Sequence, residues 1–155
     1  MVRQFLPLLV LASLSACGRP GADISREIAR QFQLSGGNSV NLAQAVAGPW
    51  EEVCVLGPSS DNITANNTLG FDWNAESKTS IRSNEGISLL VFVKDGDVVE
   101  YVEHPRADGD FSRESGKCFA REESAFVHDP IPAKGWPGLV SRGARRSEPM
   151  NPPNR

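Results

Sequence analysis

The strongest constraint on the fold is a pair of apolar, β-rich runs separated by a turn signal. The runs extend from Ile87 to Val93 and from Val98 to His104, and Lys94-Asp95-Gly96-Asp97 lies between them. An Asp-Gly pair in this position is typical of a type I′ turn, because both central residues of that turn need a positive φ. The sequence therefore predicts an antiparallel β-hairpin with a two-residue loop at Asp95 and Gly96.

The turn also predicts which residues face each other across the hairpin. Counted outward from the loop, the opposed pairs are Lys94 with Asp97, Val93 with Val98, Phe92 with Val99 and Leu90 with Tyr101. One face would then carry Leu89, Val91, Val93, Val98 and Val102, and the other Leu90, Phe92, Val99 and Tyr101. Because both faces are apolar, we expect a central hairpin that helices cover on at least one face.

The residues before the hairpin predict one amphipathic helix and one ambiguous element. Asp23 can cap a helix whose apolar side chains recur every four residues, at Ile24, Ile28 and Phe32. Gly36-Gly37 would end that helix. The next segment, Val40 to Val46, fits a helix or a strand, and Gly48-Pro49 breaks it.

A strand and a second helix are predicted next along the chain. The segment Trp50 to Leu56 ends in apolar and β-branched residues, which are typical of a strand. Ser59 to Leu69 has poor helix propensity. Its ends nevertheless carry capping residues, with Ser60 or Asp61 before the segment and Gly70 after it. Capping therefore favours a helix here.

Two more strands would complete an antiparallel sheet. Lys78 to Ser83 can join the hairpin through the turn Asn84-Glu85-Gly86, and Lys117 to Arg121 can add a strand that carries Cys118. The predicted fold class is α+β. It consists of a small antiparallel sheet around the central hairpin, packed with one or two helices.

The amino-terminal residues have the form of a secretory signal peptide. Arg3 supplies a positive charge. The apolar stretch from Phe5 to Leu14 is too short for a transmembrane helix, which needs about 20 apolar residues. The leader ends in Leu14-Ser15-Ala16-Cys17, which resembles the lipobox of bacterial lipoproteins. This resemblance covers residues 1–17 only, and it implies cleavage before Cys17 and attachment of acyl chains such as palmitate to that cysteine.

The lipobox resemblance also implies a location in the cell envelope. Several acyl chains make a durable membrane anchor. In this family an Asp after the cysteine favours the inner membrane, and Gly18 stands there instead. The resemblance therefore implies a lipid anchor in the outer membrane, facing the periplasm. The alternative is plain secretion, with cleavage after Ala16.

The remaining two cysteines predict a disulfide. With Cys17 lipidated, Cys54 and Cys118 are left as a pair in an oxidising compartment, where one bridge between them is the economical arrangement. A redox-active pair is more often adjacent in sequence, as in Cys-x-x-Cys. We therefore expect a structural bridge.

Composition divides the chain into four parts. They are the signal peptide at 1–16, a lipidated tether at 17–22, a single α+β domain at 23–128 and a tail at 129–155 rich in proline, glycine and arginine. This composition predicts a disordered tail. The tail arginines could contact acidic envelope surfaces, but a solvated tail is the favoured interpretation. A net charge of −3 gives no indication of a nucleic-acid partner.

One polar segment suggests a ligand-binding site. His104 ends the second run of the hairpin, and Arg106, Asp108 and Asp110 follow it closely, where sites often occur. Trp73 could line a ligand groove, although an aromatic residue in a small domain is more often part of the core. The favoured interpretation of the polar residues is a solvated, hydrogen-bonded loop. With two histidines and no clustered cysteines, no metal site, cofactor or catalytic residue is assigned.

Three functions remain open from the sequence. The first is a noncatalytic binding or interaction module of the cell envelope, whose partners are the membrane through its anchor and an envelope protein. The second is an inhibitor or immunity-type lipoprotein that acts against a periplasmic enzyme. The third is a hydrolase or transferase that uses His104 with Asp108 or Asp110.

Overall fold

A computed structural model describes residues 21–133 and 135–143 of the chain. The predicted signal peptide, Cys17 and the end of the predicted tail lie outside these residues. The described part confirms the α+β class, with helices packed on two antiparallel sheets. The helices are α1 (Ala22–Leu34), α2 (Leu42–Ala45), α3 (Asn62–Leu69) and α4 (Ala75–Lys78). The strands are β1 (Ser39–Asn41), β2 (Glu52–Leu56), β3 (Ile87–Lys94), β4 (Asp97–Pro105), β5 (Lys117–Ala120), β6 (Ala125–His128) and β7 (Leu139–Ser141).

The larger sheet, here called the main sheet, has the strand order β4-β3-β2-β5. Each neighbouring pair is antiparallel. Cys54 of β2 lies directly opposite Cys118 of β5, and the two form the predicted disulfide. The strands predicted at Trp50 to Leu56 and Lys117 to Arg121 are therefore confirmed, and the bridge joins them across the sheet.

The predicted hairpin is confirmed near its turn. Asp95 and Gly96 have φ values of 51° and 75°, as a two-residue loop of this type requires. Lys94 opposes Asp97 as expected. The strand β3 is buried along nearly its whole length, so this strand is central and covered on both faces, whereas β4 forms an edge of the main sheet.

A β-bulge changes the register of the hairpin beyond the turn. The shift occurs between Phe92 and Val93, and it leaves Val99 as an extra residue on β4. The predicted partners of Phe92 and Leu90 are wrong: Phe92 lies opposite Glu100, and Leu90 lies opposite Val102. Because one added residue reverses the alternation of faces, Val102 packs in the core that was predicted for Tyr101, and Tyr101 packs in the other.

The smaller sheet has the order β1-β6-β7. The ambiguous segment at Val40 to Val46 divides into the end of β1 and the short helix α2. Strand β7 lies inside the tail that composition predicts to be disordered. Leu139 of β7 is fully buried and pairs with His128, so order continues past the predicted boundary at residue 128. Apolar burial at Leu139 and Val140 outweighs the nearby prolines.

Local capping explains the remaining differences from prediction. Helix α1 begins two residues earlier than expected, with Gly21 rather than Asp23 at its N-cap. Asp61 caps α3 by accepting a hydrogen bond of 2.8 Å from the Thr64 backbone N–H, as predicted. The strand predicted at Lys78 to Ser83 is wrong, because Asn74 caps α4 and Lys78 ends that helix.

Two buried cores lie on opposite faces of the main sheet. Leu90 and Phe92 of β3 face the first core, which α1, α2 and the smaller sheet complete. Leu89 and Val91 face the second core, which is covered by α3 and α4. Within the part of the chain that the structure describes, no helix combines the length and apolar character needed to span a membrane.

Candidate functional site

His104, the first residue of the polar segment, is fully buried in β4. Its Nε2 lies 3.2 Å from the Asp108 backbone carbonyl oxygen, and its Nδ1 lies 3.0 Å from the Ser25 hydroxyl of α1. A carbonyl only accepts hydrogen bonds, so Nε2 carries a proton and a neutral ring accepts at Nδ1. Burial lowers the pKa of His104, which favours this neutral form. Both ring nitrogens are thus used in holding α1 and the following loop to the sheet.

Arg106 and Asp110 form a closed, buried ion pair. The Arg106 Nε and Nη2 each donate to one carboxylate oxygen of Asp110, both at 2.9 Å. Arg106 Nη1 donates to the Glu85 carbonyl oxygen at 3.0 Å, and the guanidinium lies 4.9 Å from the Trp136 ring centroid. These contacts occupy most of the donors of Arg106.

The carboxylate of Asp110 remains ionised in this pair. Burial raises the pKa of Asp110. Hydrogen bonds from Arg106 and from the Ser112 backbone N–H lower this pKa by a larger amount, so the net pKa lies below its ordinary value. Asp110 is 2% exposed. An ionised carboxylate that is both buried and saturated with donors fixes the loop after β4, and it offers little to a ligand.

The other predicted site residues do not join this cluster. Asp108 contacts His104 through its backbone carbonyl oxygen. Trp73 packs in the second core, with its ring centroid 5.4 Å from that of Tyr101. It therefore lies on the face of the sheet opposite His104, whose ring contacts Phe111 in the first core. Of the predicted residues, the structure unites Arg106 with Asp110 and His104 with the backbone of Asp108.

A second region offers more exposed chemistry. A groove of about 560 Å³ runs between β5 and the end of β7, lined in part by Cys118, Phe119, Glu122, Glu123, Ser141 and Arg142. We call it the β5–β7 groove. Phe119 is half-buried and packs edge-on against Phe126, at 5.1 Å between ring centroids. Sequence reasoning missed this groove because one wall is β7, which belongs to the segment predicted as disordered.

Charged side chains on the rim of the β5–β7 groove are exposed. Glu122, Glu123 and Arg142 each lie on the surface. Within residues 21–133 and 135–143, neither glutamate carboxylate forms an ion pair or hydrogen bond. These charges are therefore available to a ligand, unlike those of Arg106 and Asp110.

Two other surface depressions are smaller, at about 370 Å³ each. One lies beside α1 and β1, where Gln31 already binds the backbone N–H of Asn41. The other lies beside Arg113 and Asp129, which form an ion pair with an N–O distance of 2.8 Å. In each of these depressions, a polar side chain is thus engaged by a neighbour within the domain. The β5–β7 groove is accordingly the stronger candidate.

One set of side chains has metal-ligand geometry without the required chemistry. The ligand atoms of Glu52, Cys54 and Cys118 all lie within 4.8 Å of one another. The two sulfur atoms are joined in the disulfide, so neither is a thiolate. A single remaining carboxylate is a poor metal site.

Comparison with known proteins found no matching family model, no matching curated protein and no matching solved structure. The chemistry of the described residues is therefore the basis for the functional argument.

Proposed function

We propose that the protein is a lipid-anchored lipoprotein of the outer membrane that faces the periplasm. Its folded domain would be a noncatalytic module that binds an envelope protein. One observation carries the binding role: the β5–β7 groove combines a half-buried ring, Phe119, with two carboxylates that have no partner among the described residues. Apolar surface beside convergent polar groups is the usual character of a binding site.

The position of Gly21, the first described residue, supports an orientation in which β4 lies near the membrane and β5 lies away from it. Gly21 packs against β4, where an added Cβ would lie 2.6 Å from the Tyr101 carbonyl oxygen. Cys17 precedes Gly21 by four residues, so their Cα atoms can be separated by roughly 14 Å at most. A lipid on Cys17 would thus hold the β4 edge near the membrane. Strand β5 forms the opposite edge of the main sheet, about 14 Å away at the usual strand spacing.

The polar cluster after β4 supports a noncatalytic role for those residues. General acid–base catalysis needs a group that can reach a substrate proton. Both ring nitrogens of His104 are engaged inside the domain, and Asp110 is held by Arg106. The groups that would serve a hydrolase or transferase are thus occupied in stabilising the fold.

The anchor is tested by metabolic labelling with an alkyne analogue of palmitate. We expect the wild-type chain to incorporate the label and to fractionate with the outer membrane. The Cys17→Ala variant should do neither, whereas a Cys118→Ala variant should still be labelled. Equal labelling of wild-type and Cys17→Ala chains would contradict the proposed anchor.

The binding role is tested by photo-crosslinking in intact cells. A photoreactive amino acid at Glu122 should yield one abundant protein adduct that decreases in the Cys17→Ala background. The same amino acid at Val99, which is exposed on β4, is the matched control. Absence of an adduct at Glu122, or equal adducts at both positions, would contradict a binding module that uses the β5–β7 groove.

A further inference from the structure

We propose that the β5–β7 groove binds an extended, basic peptide segment of the partner, which adds as a strand to the outer edge of β5. This inference rests on the proposed function and specifies how the same groove would recognise its partner.

The register of β2 and β5 shows which backbone groups of β5 point outward. The Arg121 N–H donates to the Glu51 carbonyl oxygen at 2.8 Å, so this pair belongs to the hydrogen-bonded class. In an antiparallel ladder the next pair is not hydrogen-bonded, and the classes alternate. Ala120 and Cys118 therefore direct their backbone N–H groups away from β2. The Cα–Cα distance of 4.0 Å between Cys54 and Cys118 agrees with a close, non-hydrogen-bonded pair.

These outward groups of β5 are free in the described structure. No backbone or side-chain partner within residues 21–133 and 135–143 reaches the N–H or C=O of Cys118, or the N–H of Ala120. Cys118 is itself exposed and lines the β5–β7 groove. The open edge of β5 thus forms part of the groove wall.

The outer edge of β1 is closed by α1. The Ser35 hydroxyl accepts from the Ser39 N–H at 3.0 Å and also lies 3.0 Å from the Ser39 carbonyl oxygen. The Gln31 side-chain oxygen accepts from the Asn41 N–H at 2.9 Å. Side chains of the helix therefore replace a neighbouring strand at this edge.

The outer edge of β7 is closed by the segment between β4 and β5. The Leu139 N–H donates to the Asp110 carbonyl oxygen at 2.8 Å. The Ser141 N–H donates to the buried carboxylate of Glu114 at 2.9 Å. Both outward N–H groups of this short strand are therefore satisfied.

The outer edge of β4 is obstructed at its middle. Gly21 lies so close to the Tyr101 carbonyl oxygen that a Cβ at residue 21 would clash. The Tyr101 N–H donates to the side chain of Glu100 at 3.0 Å. Proteins commonly protect edge strands in such ways, because an open edge pairs readily with another chain. The contrast marks β5 as an edge suited to an added strand.

The groove beside β5 specifies the character of that strand. Phe119 provides an apolar surface, which suits an apolar side chain at alternate positions of an extended peptide. Among the described residues that line the groove, the free carboxylates of Glu122 and Glu123 outnumber the one cation, Arg142. Charge complementarity therefore favours lysine or arginine at the peptide positions that face them.

The probe is a capped peptide of alternating lysine and valine, about six residues long, the usual length of a strand. Two twins serve as controls: one has glutamate in place of lysine, and the other has methylated backbone nitrogens. The lysine peptide and its two twins are each titrated into a ¹⁵N-labelled chain that begins at residue 17 and carries Cys17→Ser. We expect saturable binding of the lysine peptide that shifts the amide resonances of Cys118 and Ala120. Each twin should bind about tenfold more weakly.

The variant that tests strand addition most directly is Ala120→Pro. Residue 120 has φ −57°, which proline adopts without strain, and the substitution removes the outward N–H. We expect this variant to bind the lysine peptide about tenfold more weakly than the parent chain. The double variant Glu122→Gln/Glu123→Gln should show a similar loss without touching the backbone. Its matched control, Asp95→Asn/Asp97→Asn, removes two exposed charges at the hairpin turn and should bind as the parent does.

Several results would overturn the inference. Equal binding of the methylated twin would exclude strand addition, and equal binding of the glutamate twin would exclude basic recognition. Binding that appears only after deletion of residues 144–155 would identify this chain's own tail as the occupant. If the lysine peptide does not bind while the Glu122 crosslink persists, strand addition fails and the binding module stands. Loss of both results would remove both proposals.

Discussion

The polar cluster after β4 and the β5–β7 groove contain the same kinds of charged group in opposite states. Arg106 and Asp110 are buried, and each supplies the counter-charge of the other. Glu122 and Glu123 are exposed and have no such partner among the described residues. A buried charge must be paired and hydrogen-bonded, because leaving water is costly. The densest polar motif of the sequence therefore stabilises the fold, while the two glutamates of the groove remain available for binding.

Removing the disulfide is expected to have the largest effect on stability. The bridge joins residues 64 apart in sequence, and a loop of that size stabilises the folded state by about 4 kcal/mol in the chain-entropy model. The variant Cys54→Ala/Cys118→Ala should lose about this free energy of unfolding, measured by urea titration. An unchanged midpoint would show that β5 is held to the sheet without the bridge.

Breaking the buried ion pair should destabilise the protein by about 3 kcal/mol or more. The variant Arg106→Met leaves the Asp110 carboxylate buried without its guanidinium partner. The double variant Arg106→Met/Asp110→Leu removes both charges and should recover much of that loss. If Arg106→Met unfolds at the same urea concentration as wild type, the cluster does not stabilise the fold. Its charges would then resemble those of the groove.

Lowering the pH should reduce the stability of the protein, because His104 is buried. The pKa of His104 is lowered by burial from 6.5, so below pH 6.5 the unfolded chain binds a proton that the folded chain does not. Stability therefore falls as the pH decreases below 6.5, by up to about 1.4 kcal/mol per pH unit. Above pH 6.5 the ring of His104 is neutral in the folded and the unfolded chain, so the stability that acid removes is fully present. The variant His104→Asn should lose this dependence, whereas His128→Gln, which alters an exposed histidine, should retain it.

That acid dependence also separates the fold role of His104 from a catalytic one. A catalytic histidine would be identified by a pH profile of activity, whereas a structural one alters the pH profile of unfolding. If His104→Asn leaves the acid dependence of stability unchanged, the buried, neutral state of the ring would be wrong.

Much of the fold could be predicted because its signals are local. Asp95 and Gly96 identify the turn, and Asp61 and Gly70 delimit α3. Setting Cys17 aside for the expected lipidation leaves one pair of cysteines for the bridge. The bulge at Phe92 and Val93 could not be predicted, because it depends on how β4 packs against α1 and the second core. One extra residue was sufficient to reverse the faces of Tyr101 and Val102.

The site was harder to predict than the fold. The sequence grouped Arg106 and Asp110 in one polar segment, but it predicted neither their ion pair nor the burial that closes this pair against ligands. The β5–β7 groove depends on contacts between residues near 120 and residues near 142. Such long-range packing has no local signal, and the prolines before β7 favoured disorder instead. Composition describes a segment on its own, whereas burial of Leu139 depends on the rest of the domain.

The smallest expected effect on stability comes from changing the groove charges. This effect best separates the β5–β7 groove from the buried polar cluster. Glu122→Gln/Glu123→Gln removes two exposed charges that have no partner among residues 21–133 and 135–143, so its free energy of unfolding should stay within about 0.5 kcal/mol of wild type. In this variant the photoreactive amino acid is placed at position 119 instead of 122, and its crosslink to a partner should nevertheless decrease. A large loss of stability would mean that these carboxylates support the fold, as Asp110 does. An unchanged crosslink would mean that they do not contribute to binding. Only stability retained together with binding lost agrees with a groove whose charges are kept for a partner.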